Sequence, residues 1–298
     1  MDLPDPSYLL YRAGSAVARA VPAPALGPLA DSAGWVAARA MSGRREMVAR
    51  HQRRVRPELT DAELDRAVDA VFRSYADYWI ESFRLPGRPA EELAADMVTE
   101  GFEHIRNAYD AGNGLITAMP HLGAWDFAAF WLTQVQHIRV TTVVERLEPP
   151  ELGEWFIGLR EALGMQIVPL DSGSAPKVAH ALADGRLLSL VCDRDVAGGG
   201  IEVEFFGERT TLPAGPATLA LRSGAPLIPA TCFFEGGTHR GVVLPPLDTE
   251  RRGRFREDVA RVTQDLAHAL EQMIRLAPEQ WHVLQPNWPS DHHLAEGR

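Results

Sequence analysis

The sequence is poor in cysteine and contains no long apolar run. Its 298 residues include only Cys192 and Cys232, so a disulfide framework is excluded and a reducing cytoplasm is favoured. Both cysteines lie in apolar runs, which is typical of buried strand thiols. No stretch approaches the ~20 apolar residues of a transmembrane helix. Acidic residues precede the first apolar segment and Arg12 and Arg19 interrupt it, unlike a secretory signal. We therefore expect a cytosolic chain that is able to lie on a membrane without crossing it.

The sequence also lacks an excess of basic residues. Its formal net charge is −10, which argues against nonspecific nucleic-acid binding. Positive charge is concentrated in residues 43–56, GRREMVARHQRRVR. A basic segment in an acidic protein predicts contact with an anionic surface, either lipid headgroups or phosphate, and a solvated helix face is the structural alternative.

Motifs for several other chemistries are missing. The chain has no Gly-x-Ser-x-Gly elbow of a serine hydrolase, and residues 118–132 contain neither Ser nor Cys. We find no metal-ligand spacing. The sequence DHH at 291–293 belongs to a polar C-terminal tail that we expect to be disordered.

The pattern of apolar residues changes near residue 98. Before it, two amphipathic segments are followed by a helix that begins at a capping box formed by Thr60 and Glu63. The first two segments either pack on the core or lie in a headgroup layer. After residue 98, short β-branched runs alternate with helical stretches, which predicts an α/β sheet flanked by helices. We therefore assign a helical, membrane-apposed section (1–97) and an α/β core (98–298), integrated in one domain.

Two titratable residues interrupt the apolar stretch AMPHLGAWDFAAFWL, residues 118–132. His121 and Asp126 are five residues apart, so on a continuous helix they would point about 140° away from each other. They can meet only if His121 lies on a turn relaxed by Gly123 and Asp126 lies on the following helix. The preceding strand would place His121 at its carboxyl end, where α/β sheets bind ligands. The pair fits a general base with a tautomer-fixing carboxylate, and equally a core histidine satisfied by a carboxylate.

A second polar cluster ends another apolar strand. Asp193, Arg194 and Asp195 follow LSLVC and precede a glycine-rich turn. Further on, a helix predicted over 216–223 presents an amino end that could face an anion. A β-hairpin with glycine-rich turns and a capped helix would explain the glycines, but not three charges at the end of a buried strand.

In their order along the chain, these motifs resemble a known family. HLGAWD is similar to the His-x4-Asp motif of the glycerolipid and lipid A acyltransferases, and DRD with VEFFGE and LPAGPATLALRSGAPLIPA resembles the lipid A late-acyltransferase branch. Within it, the likeness is greatest to the phosphatidylinositol mannoside acyltransferases of actinobacteria, through YADYWIESFRLP, VVERLEP, LREALGMQIVPL and WHVLQPNW. The resemblance spans about residues 10–288.

The resemblance implies a glycerolipid-acyltransferase-like sheet and a peripheral enzyme of the cytoplasmic face of the plasma membrane. Such an enzyme moves a palmitoyl-like chain from acyl-CoA to a mannose hydroxyl of a phosphatidylinositol mannoside. We expect direct attack, no acyl-enzyme, no metal and no permanently bound cofactor, with acyl-CoA entering as the donor substrate. The alternatives are a related acyltransferase with another glycolipid or lysophospholipid acceptor, a hydrolase, and a lipid-binding protein without chemistry.

Carried over by motif, the catalytic residues are His121 as the base, Asp126 as its His-x4-Asp partner and Asp193 as the acid that supports the histidine. The mannoside enzymes carry a glutamate where Asp193 stands, so the resemblance alone does not establish a direct bond from Asp193 to His121. The aromatic run over 125–132 would line an apolar tunnel for the acyl chain or belong to the core. The expected substrate-binding residues are Glu145, Arg160, Arg194 and Asp195.

Overall fold

The computed structural model describes residues 5–196 and 198–292. The helices in these ranges are α1 (Pro6–Ala20), α2 (Leu26–Ala40), α3 (Ser42–Val55), α4 (Asp61–Arg84), α5 (Ala90–Ala95), α6 (Glu103–Asp110), α7 (Trp125–Gln134), α8 (Pro150–Ala162), α9 (Ser174–Ala183), α10 (Gly215–Ser223), α11 (Phe255–Ile274) and α12 (Pro289–His292), with short 3-10 turns at Ala23–Ala25 and Pro278–Gln280. The strands are β1 (Met97–Glu100), β2 (Leu115–Met119), β3 (Val140–Val144), β4 (Gln166–Pro169), β5 (Leu187–Val191), β6 (Ile201–Phe205), β7 (Glu208–Leu212), β8 (Leu227–Glu235) and β9 (Thr238–Val243).

Seven strands form the central sheet in the order β1-β9-β8-β2-β5-β3-β4. Neighbouring strands run parallel except β8 and β9, which are antiparallel. β6 and β7 form a separate antiparallel hairpin, as the glycine-rich turns indicated. The predicted α/β sheet flanked by helices is confirmed.

Both faces of the central strands β2 and β8 are largely buried, which explains why these strands are apolar without alternation. The edge strand β1 is mostly exposed. Leu115 of β2 packs with Phe127 of α7 on one face. Ile116, the next residue of β2, packs with Ala220 of α10 and Leu266 of α11 on the other face. The carboxyl ends of the central strands are therefore held between two helical layers.

The N-terminal helices pack beside this sheet. α4 begins at the predicted capping box, in which the backbone N–H of Thr60 donates to Glu63 Oε2 at 2.9 Å. Gly34 of α2 allows a close approach to α4, because a Cβ there would lie 2.6 Å from the Cα of Arg73. No helix within the described ranges has the length and apolar character needed to cross a membrane. The division at residues 97 and 98 coincides with the start of β1 and stays a prediction as a domain boundary.

The basic segment 43–56 falls in and just after α3, and carboxylates of the same chain offset much of its charge. Most of its arginines take part in ion pairs, so the segment does not present an unpaired positive surface as a whole. The pairs are Arg45 with Asp65 and Asp69, Arg50 and Arg54 with Asp291, Arg53 with Asp61, and Arg56 with Glu279.

The expectation of a disordered tail is wrong for Asp291 and His292, while His293 lies outside the described residues. The Asp291 carboxylate is fully buried. Its Oδ1 accepts hydrogen bonds from Arg50 Nε at 3.0 Å and from an Arg54 guanidinium N–H at 2.8 Å. These partners lie about 240 residues earlier in the chain, so the polar character of the tail alone could not reveal them.

We predict that Asp291→Ala lowers the free energy of unfolding by about 3–5 kcal/mol, because it removes a fully buried carboxylate that pairs with Arg50, His51 and Arg54. Urea unfolding of the purified protein measures this change. Glu100→Ala is the matched control, since it removes a pair with Arg240 in which the glutamate side chain is 65% exposed, and it should cost less than about 1 kcal/mol. Equal losses in the two variants would contradict the prediction.

Candidate active site

The register of two parallel strands brings His121 and Asp193 together. Met119, the last residue of β2, pairs with Val191, the last residue of β5. His121 and Asp193 each follow two residues later. Both therefore emerge side by side at the carboxyl edge of the sheet, where ligands bind in α/β folds.

Gly123 fixes the turn that carries His121. Its φ of +61° lies in the left-handed region. A Cβ at this position would lie 2.4 Å from the carbonyl oxygen of Cys232, so only glycine fits between the turn and β8. The expected arrangement, with His121 on a turn and Asp126 on the following helix, is confirmed.

His121 bonds directly to Asp193. Imidazole Nδ1 lies 2.5 Å from Asp193 Oδ1, and the backbone N–H of His121 donates to Oδ2 at 2.9 Å. The aspartate is short, but the adjacent strand delivers it close enough for both bonds. With an ionised Asp193, Nδ1 carries the proton and Nε2 is left as the basic nitrogen. Among the described residues, Nε2 has no hydrogen-bond partner.

Asp193 keeps its negative charge although it is fully buried. Burial raises the pKa of a carboxyl, but the imidazole of His121 and the hydrogen bonds to both carboxylate oxygens more than offset this effect. The pKa of Asp193 therefore lies below its usual value. Trp281 supplies one of these bonds, from indole Nε1 to Oδ2 at 2.7 Å.

The structure pairs Asp126 with Arg160 rather than with His121. The Arg160 guanidinium donates to both Asp126 oxygens, at 2.9 and 3.1 Å, and Tyr78 Oη donates to Oδ2 at 2.7 Å. α7 directs Asp126 towards α4 and α8, whereas Asp193 already occupies Nδ1 of His121. The expected Asp126–His121 partnership is therefore replaced by a buried Asp126–Arg160–Tyr78 cluster.

The surroundings of Arg160 and Tyr78 in this cluster raise the pKa of both side chains. Burial disfavours a charged guanidinium, but Asp126 more than offsets it and holds the pKa of Arg160 above its ordinary value. Burial and the neighbouring Asp126 raise the pKa of Tyr78 well above its usual range. Around neutral pH, Arg160 therefore stays a charged guanidinium and Tyr78 a neutral phenol.

A cavity of about 1190 Å³ opens beside His121. Most of the predicted site residues line it, whereas Asp193 lies buried behind His121. The amino end of α10 also lines it, at Gly215 and Pro216, as the predicted anion-facing helix end requires. The predicted residues on its wall are His121, Asp126, Glu145, Arg160, Arg194 and Asp195.

Arg194 and Asp195, which lie on the cavity wall, also form hydrogen bonds within the protein. An Arg194 guanidinium N–H donates to Gln285 Oε1 at 3.1 Å. The Asp195 carboxylate accepts the backbone N–H groups of Gly198 and Gly200, at 3.1 and 2.8 Å, and so shapes the glycine-rich turn. Glu145 follows the last residue of β3 directly.

The cavity wall includes residues that the sequence did not single out, above all His282. Its Nε2 lies 2.9 Å from Ser74 Oγ, and burial lowers its pKa to about 3, so the ring is neutral. The motif WHVLQPNW contained His282, but no spacing connected it to His121. Cys192 also lines the cavity, and burial raises the pKa of its thiol well above the ordinary value, which fits a buried strand thiol.

Comparison with known proteins assigns this arrangement to a class. The sequence model of the family described as bacterial lipid A biosynthesis acyltransferase matches residues 3–290, and the chain belongs to this family. It is 39% identical over 285 residues to a phosphatidylinositol mannoside acyltransferase of Mycolicibacterium smegmatis (strain ATCC 700084 / mc(2)155), covering 94% of this chain and 91% of the relative.

Two further relatives carry the same name. They come from Mycobacterium tuberculosis, strains CDC 1551 / Oshkosh and ATCC 25618 / H37Rv, and each is 40% identical over 293 residues, covering 97% of this chain and 90% of the relative. The resemblance to phosphatidylinositol mannoside acyltransferases is confirmed.

Proposed function

We propose that this acyltransferase moves a long, palmitoyl-like acyl group from acyl-CoA to a mannose hydroxyl of a phosphatidylinositol mannoside, with His121 as the general base. The observation that supports it most is the state of His121, whose Nδ1 is fixed by a buried carboxylate while the ring lines a large cavity. The names of the mycobacterial relatives support the mannoside as the acceptor.

The chemistry follows from the free nitrogen of His121. A sugar hydroxyl is a weak nucleophile at neutral pH, and an imidazole is suited to remove its proton because it titrates near that pH. The hydroxyl oxygen bonds to the thioester carbon while Nε2 takes the proton. The tetrahedral intermediate then collapses, the carbon–sulfur bond breaks, and the coenzyme A thiolate leaves and takes up the proton. The buried Asp193 stabilises the imidazolium between these steps.

The cavity offers polar surroundings for the sugar and apolar surroundings for the acyl chain. Glu145 and Arg160 supply charged groups suited to sugar hydroxyls on its wall. A smaller apolar pocket of about 50 Å³ shares Met119 and Trp125 with it and is lined further by Trp131 and Leu132. The smaller pocket does not have room for a whole palmitoyl-like chain. We therefore assign the acyl chain to the large cavity, along the wall that carries Met119 and Trp125.

Membrane association forms part of the proposal and is based on exposed apolar side chains. Leu10 of α1 is 72% exposed and Trp35 of α2 is 59% exposed. Exposed apolar side chains of this kind favour the headgroup layer of a bilayer. We therefore place α1 and α2 against the cytoplasmic leaflet, in preference to the largely ion-paired basic segment. Leu9, Val17 and Val36 extend the same exposed set.

We predict that His121→Ala reduces transfer of radiolabelled palmitoyl from palmitoyl-CoA to phosphatidylinositol mannoside by about 10²–10⁴-fold, the usual contribution of a general base. His180→Ala on α9 is the matched control, because His180 is exposed and lies outside the cavity wall. It should leave transfer unchanged.

Equal transfer by wild type and His121→Ala, both folded, would remove His121 from the chemistry. Testing lysophosphatidate in parallel separates the acceptors. Transfer to lysophosphatidate alone would replace the mannoside in the proposal with a lysophospholipid.

We also predict that the double variant Leu10→Gln/Trp35→Gln binds anionic vesicles at least about tenfold more weakly, since burying one large apolar side chain contributes ~1.5–3 kcal/mol. Vesicle co-sedimentation measures the loss. Val98→Gln is the control, because Val98 is 57% exposed but lies on the edge strand β1. Unchanged binding by the double variant would argue against α1 and α2 as the membrane surface.

A further inference from the structure

We propose that Trp281 is a positioning residue of the active site, whose indole N–H holds the Asp193 carboxylate in the orientation that His121 requires. The inference depends on the proposed function in one respect, that His121 is the base. It adds a residue from the C-terminal segment, far in sequence from both members of the pair.

The two oxygens of Asp193 have different partners. Among the described residues, Oδ1 has one hydrogen-bond partner, Nδ1 of His121, at 2.5 Å. Oδ2 accepts two N–H groups, the backbone N–H of His121 at 2.9 Å and the indole N–H of Trp281 at 2.7 Å. Two donors on one oxygen prevent the carboxylate from turning, so Oδ1 stays directed at the imidazole. Loss of the indole donor would leave the backbone N–H as the one remaining restraint on Oδ2.

The chain around Trp281 is tied to the same turn that carries His121. The backbone N–H of His282 donates to the carbonyl oxygen of His121 at 2.7 Å, and that of Gly123 donates to the carbonyl oxygen of Gln280 at 2.9 Å. These bonds flank an antiparallel bridge between Leu122 and Trp281. The segment around Trp281 is therefore bonded to the turn that carries His121. These backbone bonds hold the indole beside Asp193.

A second contact from the tail reaches the main chain of Asp193. Asn287 Nδ2 donates to the carbonyl oxygen of Asp193 at 2.9 Å. Trp281 itself is 1% exposed and Asp193 is 0% exposed, so water does not compete for the bond. Trp281 does not belong to the cavity wall among the described residues, and it therefore acts through Asp193 and not on a substrate.

The orientation of the carboxylate also affects the protonation of the base. An Asp193 carboxylate directed at Nδ1 stabilises an imidazolium at His121. Without the indole donor, the carboxylate turns more freely and stabilises the imidazolium less. A base must be neutral to act, so the acid limb of the rate profile moves to lower pH.

Other titratable groups around the pair do not produce this shift. His282 faces His121 from the tail, and burial lowers its pKa to about 3. Cys192 precedes Asp193, and burial raises the pKa of its thiol far above neutrality. An Arg194 guanidinium N–H, next to Asp193 in sequence, donates to Gln285 Oε1. A change in the acid limb therefore reports His121.

The test compares Trp281→Phe with Trp288→Phe. Both residues are 1% exposed and belong to the same tail, but the Trp288 indole donates to the carbonyl oxygen of Phe205 at 3.1 Å. For Trp281→Phe we expect kcat to fall about 10- to 100-fold, the effect of losing one bond to a charged group. KM for the mannoside should stay nearly constant and the acid limb of the rate profile should move to lower pH. Trp288→Phe should keep the wild-type pH profile. Matching kcat values and pH profiles in the two variants would overturn the inference.

A second measurement uses the wild-type protein and does not depend on transfer activity. The indole ¹H–¹⁵N resonance of Trp281 should move with pH in step with the His121 ring signals, which are identified by their loss in His121→Ala. The Trp288 resonance should not follow this titration. A Trp281 resonance that ignores the protonation of His121 would overturn the inference even in an active enzyme. Coupled titration in a protein without mannoside transfer would instead refute the proposed function alone.

Discussion

The buried carboxylate of Asp193 is the group on which the site depends. A charge removed from water is stable only when hydrogen bonds and opposite charge replace its hydration. Two parts of the chain supply them: the turn after β2 through His121, and the C-terminal tail through Trp281. The parallel register of β2 and β5 places the first of these beside Asp193. Both parts converge on Asp193 because its buried charge requires hydrogen-bond donors. As a result, Nδ1 of His121 is held by the carboxylate and Nε2 is left to act as the base.

A second buried carboxylate, Asp126, organises another part of the cavity wall. Asp126 joins α7 to α8 through Arg160 and to α4 through Tyr78. The helical N-terminal section is thereby bonded to the core. His121 and the Asp126–Arg160 pair both line the cavity, so fixed polar groups share its wall with the apolar side chains that we assign to the acyl chain.

The sequence predicted which residues form the site better than it predicted their bonding partners. Apolar strands that end in polar residues pointed to His121 and Asp193, because strand ends can be read locally. The bond between His121 and Asp193 depends on the strand order, which places β5 beside β2. Neither segment alone indicates this order. Asp126 was matched to His121 by a short motif, whereas its partners lie on distant helices. Trp281 is 88 residues from Asp193, and nothing local to it indicates a bond to a carboxylate. The polar composition of the C-terminal tail likewise gave no sign that Asp291 is buried.

The most direct test of the account is the transfer rate of Asp193→Asn, with palmitoyl-CoA and phosphatidylinositol mannoside as substrates. An amide in place of the carboxylate neither fixes the Nδ1–H tautomer nor stabilises an imidazolium. The account predicts a loss of about 10²–10⁴-fold in a protein that remains folded, with no loss for Asp184→Asn, whose side chain is 49% exposed and pairs with Arg139. A folded Asp193→Asn enzyme with the wild-type rate would contradict it.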